Sequence, residues 1–220
     1  MMRDMKRGVK NEDSFQRTME KLIKFVVKHR ETAIWLGVGV LVGIFAIAYL
    51  SFSKEKINPE AELIYTQAIN FINMGKAQEA ENYFLQLTEK YGNTRPGRVA
   101  FYYLGVINYH TARFNEALDY FDKFLSKEKK DPLLTPSAQF GAGCAAEGLK
   151  DYERARNYYE KVAKNKDSHF YYLGMLAWAR TNGILGNTAK AHEILQNLLT
   201  QNPPQDIVSD AKFYLGYFNK

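Results

Sequence analysis

Four stretches of the chain superimpose: INMGKAQEAENYFLQL (72–87), HTARFNEALDYFDKFL (110–125), LKDYERARNYYEKVAK (149–164) and LGNTAKAHEILQNLLT (185–200). Each carries a short turn, then an alanine, then a bulky residue four positions on: Ala80/Phe84, Ala117/Phe121, Ala155/Tyr159 and Ala191/Leu195. The alanines lie 37, 38 and 36 residues apart. Twelve residues before each stands another small residue, Ala68, Gly105, Gly143 or Ala179, and Gly216 follows at the same phase. A period of this length marks a chain of repeated supersecondary units. The residue types fit helix–turn–helix packing: a small residue where two helices cross closely, and a large one a turn away to fill the gap. The pattern predicts four helix pairs and a terminal helix over 206–219 that covers the open end.

The pattern resembles the tetratricopeptide repeat, which has a small residue at its eighth position, alanine at its twentieth, an aromatic at its twenty-fourth and proline near its end. Tyr102-Tyr103-Leu104-Gly105 and Phe213-Tyr214-Leu215-Gly216 match the first-helix part, and Pro203 closes the fourth repeat. No repeat has the signature tryptophan. Leu87, Phe124, Val162 and Leu198 stand where the twenty-seventh position is usually small, and the spacing exceeds the family's own. The extra residues lengthen the turns between repeats, around Gly92–Pro96 and Lys127–Pro136. Asn58-Pro59, Thr94-Arg95-Pro96, Thr135-Pro136 and Pro204-Gln205-Asp206 place a cap or proline at first-helix starts.

The resemblance implies an all-α fold, a right-handed α-solenoid of about four and a half such helix pairs over residues 58–220. It also implies a concave groove lined from the first helices, containing Tyr65, Ile69, Ile72, Tyr102, Val106, Tyr109, His110, Phe140, Cys144, Leu176, Arg180, Phe213 and Tyr217. That surface is aromatic and aliphatic, suited to an extended or helical apolar segment, with Arg180 its clearest fixed charge. The set by which some family members clamp an acidic carboxyl terminus is missing. About half of these residues are expected to serve as inter-repeat core instead.

Residues 32–53, TAIWLGVGVLVGIFAIAYLSFS, form a run of twenty-two without a charge. A bilayer's hydrocarbon core needs roughly 20 such residues in a helix. Residues 1–31 hold nine Lys/Arg against five acids, while Lys54 and Lys56 beyond the run are interrupted by Glu55. Basic residues stay on the cytoplasmic side, so the pattern predicts a cytoplasmic leader (1–31), a single span (32–53), a short linker (54–57) and an outward repeat domain. Phe15, Met19, Leu22, Ile23, Val26 and Val27 recur at helical spacing in the leader, and Asp13 with Gln16 resembles a capping box. Gly39 and Gly43, one turn apart, would admit a close partner helix or a dimer through the span. The competing expectation is cleavage after Ala48, which would release a soluble periplasmic binding protein.

The net charge of +6 does not point to nucleic acid, because the leader contributes nine bases against five acids and residues 57–220 hold nineteen against eighteen. A nucleic-acid protein would concentrate basicity on its folded domain. With one cysteine, Cys144, no intrachain disulfide forms. His29, His110, His169 and His192 share no ligand spacing, Gly141-Ala142-Gly143 follows no strand, and no nucleophile signature occurs. The expectation is a binding protein rather than an enzyme, with no cofactor or metal.

Taken together, the basic leader, one span and a tetratricopeptide-like domain resemble the YfgM-like ancillary subunits of the bacterial Sec translocon. That resemblance implies an inner-membrane protein with a periplasmic domain. Its partners would be the translocon, periplasmic chaperones or unfolded envelope proteins. The alternative is a scaffold of another cell-envelope assembly or division complex that handles no client.

Overall fold

The computed structural model describes residues 19–20, 24–25, 27–53 and 57–219. The chain divides into two compact units, Met1–Glu55 and Lys56–Lys220. The first contains α1 (Arg30–Ser53), whose Ile34, Trp35, Val40, Leu41, Val42, Ile44, Phe45 and Ile47 are all exposed. Among the described residues no helix is long and apolar enough to cross a membrane. Side chains at 30, 33, 36, 37 and 49–53 fall outside that set, and the longest described stretch of α1 side chains, 38–48, reaches only about 16 Å at 1.5 Å per residue. The expected span therefore rests on the residue run and not on the fold. The leader's Phe15, Leu22, Ile23 and Val26, its Asp13/Gln16 box and linker residues 54–56 likewise lie outside the described residues.

The second unit is built from helices alone among the described residues: α2 (Pro59–Asn73), α3 (Ala77–Tyr91), α4 (Arg95–His110), α5 (Phe114–Lys127), α6 (Leu134–Gly148), α7 (Tyr152–Ala163), α8 (Tyr171–Ile184), α9 (Thr188–Thr200) and α10 (Gln205–Tyr217). Each helix packs on its chain neighbours, and α2, α4 and α6 also contact one another in sequence along the array. This is the nearest-neighbour packing of a solenoid.

The repeat register holds at every crossing. Ala80, Ala117, Ala155 and Ala191 are fully buried, as are Ala68 and Ala179. Their bulky companions Phe84, Phe121, Tyr159 and Leu195 are 0–2% exposed. A Cβ on Gly105 would lie 2.7 Å from the Phe121 ring, well inside van der Waals contact. Leu87, Phe124, Val162 and Leu198, the departures from the repeat pattern, are each 0% exposed. Bulk at that position fills the core between pairs, and burying such side chains is worth about 1.5–3 kcal/mol each.

Within each pair the turn is one motif repeated. Gly75, Ala112, Lys150 and Gly186 all have left-handed backbone, with φ of 70, 58, 61 and 82°. Each sits five residues before its crossing alanine. The left-handed residue's N–H bonds three residues back, and the next N–H bonds five back, as in Lys76 N to Phe71 O (2.9 Å), Arg113 N to Asn108 O (2.9 Å), Asp151 N to Ala146 O (2.9 Å) and Asn187 N to Asn182 O (2.9 Å). This Schellman closure satisfies carbonyls that the helix end would otherwise strand.

Two of the expected caps are in place. Asn58 Oδ1 accepts from the N–H groups of Glu60 and Ala61 at 3.1 Å, and Thr94 Oγ1 accepts from Gly97 N at 3.2 Å. At α6 the expectation is corrected: Thr135 is buried, and Asp131 Oδ1 takes the N–H groups of Leu133 (3.0 Å) and Leu134 (2.8 Å). A carboxylate there is a better acceptor for the orphaned donors than a buried hydroxyl.

Candidate protein-binding groove

The first helices α4, α6 and α8 enclose a cavity of about 510 Å³. Its position follows from sequence: Gly141, Ala142, Gly143, Ala145 and Ala146 thin the middle of α6, so the neighbouring helices approach closely while their larger side chains reach past it. Tyr109, Phe114, Phe140, Leu173 and Leu176 form apolar walls, and Cys144, Glu147, Arg180 and Asp210 supply the polar atoms. Tyr109, Phe140, Leu176 and Arg180 are thus brought together as the sequence predicts.

The floor is a compensated charge network. Glu147 Oε2 accepts from Arg180 Nη2 at 2.5 Å and from the Tyr159 hydroxyl at 2.6 Å, and that hydroxyl lies 3.4 Å from Cys144 Sγ. Burial works against the Arg180 charge, but the Glu147 carboxylate together with the Tyr214 and Tyr159 hydroxyls outweighs it and holds the guanidinium above its usual range. Arg180, the fixed charge expected in the groove, lines the cavity as half of an ion pair with Glu147. Its Nε is buried without a partner. Burial, with Cys144 and Glu147 nearby, pushes the Tyr109 hydroxyl up, and burial raises the Cys144 thiol. Cys144 is held neutral, the opposite of an activated nucleophile.

A second cavity of about 270 Å³, lined by Glu62, Tyr65, Arg95, Pro96, Val99 and Leu134, lies between α2, α4 and the start of α6. Tyr65 belongs here, apart from the larger cavity. Tyr102 is half-buried, packs its ring on Phe121 and Phe124, and shares a 2.8 Å hydrogen bond with Ser137 on α6. Ile69 and Val106 pack against the buried core. Those three serve inter-repeat packing. Phe213 and Tyr217 are exposed and stack on each other at 5.9 Å. In α1, a Cβ on Gly39 or Gly43 would meet nothing within 4 Å.

Glu147, Leu173, Asp210 and Phe114 are missing from the sequence-derived groove. The first three carried a signal: counted from Gly143, Ala179 and Gly216, they fall at the repeat's twelfth, second and second positions, all groove-facing in the family. Phe114 opens a second helix, and nothing in the repeat pattern marks it. Among the described residues no group of three or more His, Cys, Asp or Glu could hold a metal ion.

This is the architecture of a tetratricopeptide-like repeat protein, and solved structures share it. A tetratricopeptide repeat protein from Parabacteroides merdae ATCC 43184 superimposes with a TM-score of 0.64 at 17% identity, over 74% of this chain and 61% of that one. The "MamA RS-1 ArsTM double mutant" gives 0.63 at 16% identity over 74% and 85% of the two chains. YrrB, described as a tetratricopeptide protein "with an unusual peptide-binding site", gives 0.58 at 16% over 79% and 82%. At these identities the likeness is one of fold. No curated protein is significantly similar in sequence. Residues 13–214 match the family described as "T7SS, ESX-1 secretion system protein EccA1, N-terminal domain", and the chain belongs to that family. That match does not bear on the resemblance of the layout to the translocon subunits.

Proposed function

We propose that the chain is a membrane-anchored protein-interaction module of a protein-export or envelope-assembly apparatus. In this reading its groove takes an apolar segment of a partner protein. The observation that carries it is the cavity between α4, α6 and α8: apolar walls around a neutralised floor, within the size range of ligand sites. Such a site rewards a bulky apolar side chain and offers no activated group for catalysis. We read the protein as non-enzymatic and without a cofactor.

The anchor is α1. Among its described side chains, Ile34, Trp35, Val38, Val40, Leu41, Val42, Ile44, Phe45 and Ile47 are exposed, which in a long helix suits a bilayer or a buried core. With the basic leader inside, the repeat domain faces outward, in the periplasm of a bacterial inner membrane. The matched family's description names a secretion system, and the layout resembles a Sec-translocon subunit. Both lead to partners among export machinery, its chaperones or unfolded envelope proteins. A scaffold for an envelope complex is the second reading, favoured by the exposed Phe213 and Tyr217 at the C-terminal end.

A photo-crosslinking residue in place of Leu173, exposed at the cavity mouth, distinguishes them in intact cells. Many unfolded partners support client handling, one or two folded partners support scaffolding, and none from this position rejects the groove.

A further inference from the structure

Two carboxylates, Glu147 and Asp210, and one guanidinium, Arg180, line the cavity between α4, α6 and α8. Glu147 is tied up within the domain, by Arg180 and the Tyr159 hydroxyl. Asp210 is exposed on α10, and its carboxylate has no ion pair or hydrogen bond among the described residues. The cavity therefore holds one negative charge in excess, although residues 57–220 hold nineteen bases against eighteen acids. The second cavity is balanced, with Glu62 and Arg95 in its lining.

The walls act in the same direction. Tyr109 and Phe114 form a tilted ring pair at 5.8 Å, and Phe140 and Tyr159 another at 5.4 Å. An aromatic face carries negative potential and attracts a lysine or arginine head within about 6 Å of its centre. The domain makes that contact elsewhere: Lys123 Nζ lies 5.3 Å from the Tyr120 ring centre and Lys190 Nζ 5.7 Å from that of Trp178.

We infer that the partner segment carries a basic residue beside its bulky apolar one, with the cationic head at Asp210 and the stem along the aromatic walls. Lysine and arginine suit such a place, because the stem is apolar while the head stays at the wet mouth. An acidic residue there would face Asp210 with no base free to compensate, since Arg180 is held by Glu147. The assignment rests on the groove proposed above and adds a charge preference to it.

The probes are three fluorescent peptides, GSFLKFLSG, GSFLQFLSG and GSFLEFLSG, titrated against the full chain in detergent at low salt and followed by anisotropy. The lysine peptide is expected to bind at least about threefold more tightly than the glutamine peptide, and the glutamate peptide most weakly. Asp210→Asn should close most of the gap between lysine and glutamine, and added salt should narrow it in the parent. Asp210 has no partner to lose, so the variant keeps the fold, which circular dichroism checks. Tyr109→Ala should weaken all three peptides. Equal binding of the three by the parent, weakened throughout by Tyr109→Ala, overturns the charge preference and leaves the groove standing. A lysine preference that survives Asp210→Asn also overturns it, because the cation then sits elsewhere. Binding indifferent to Tyr109→Ala, or no binding of any of the three, overturns the charge preference and the groove together.

Discussion

Gly143 and Tyr159 cross so closely that a Cβ on the glycine would lie 2.5 Å from the tyrosine's Cε1. Tyr159 has nowhere to retreat: it is 0% exposed, and its hydroxyl is tied to Glu147. Gly143→Ala should therefore destabilise the domain by about 1–3 kcal/mol, as overpacking does. Gly216→Ala, at the same repeat position with open space, should be neutral or gain up to about 1 kcal/mol from helix propensity. Chemical denaturation of both variants checks the pair, and equal effects would break the register.

A related contrast separates the two faces of a second helix. Ala117 is fully buried at its crossing, whereas Ala189 is exposed on α9. Ala117→Leu should cost about 1–3 kcal/mol, and Ala189→Leu should leave the unfolding midpoint within error of the parent.

The turn motif makes a gain-of-stability prediction. Ala112 and Lys150 hold left-handed backbone that the equivalent Gly75 and Gly186 adopt freely. Relieving the Cβ clash by Ala112→Gly or Lys150→Gly should add about 0.5–1 kcal/mol each. Thermal melting of the two single variants and the double variant measures this, with additive gains expected for turns in different repeats.

These turns also show where sequence reading stopped. The crossing residues were legible because packing restricts them to Ala, Gly or a large side chain at fixed spacing. The left-handed position was not, since two of four carry residues whose type does not announce it, and only the backbone bonds reveal the shared geometry. The same contrast holds in the groove. Tyr109, Phe140, Leu176 and Arg180 followed from repeat position, but pairing of Arg180 with Glu147 depends on side chains thirty-three residues apart. Tyr102 also follows from repeat position, and its packing on Phe121 and Phe124 with its hydrogen bond to Ser137 puts it in the half of the set expected to serve inter-repeat packing.

Alkaline pH should weaken the domain through Tyr158. Its hydroxyl donates to Asp122, and burial with that carboxylate beside it pushes the group from its ordinary value near 10 up to about 12. The folded state thus favours the neutral phenol, and this stabilisation is complete below pH 10 and lost as pH rises toward 12. Tyr158→Phe should be less stable at neutral pH, with a shallower decline over pH 10–12, measured by denaturation at stepped pH.

Binding in the cavity is the claim on which the functional account stands. The direct measurement is the affinity of the full chain for a library of apolar peptides, with parent, Tyr109→Ala and Leu173→Asp compared. Truncating a buried aromatic anchor typically costs about 2 kcal/mol or more at an interface, so the selected peptides should bind Tyr109→Ala at least tenfold more weakly. Leu173→Asp, which puts a charge at the exposed mouth of the cavity, should weaken binding further, with helical content unchanged in both variants. Peptides that bind parent and both variants equally would contradict the account and place the binding surface elsewhere on the domain.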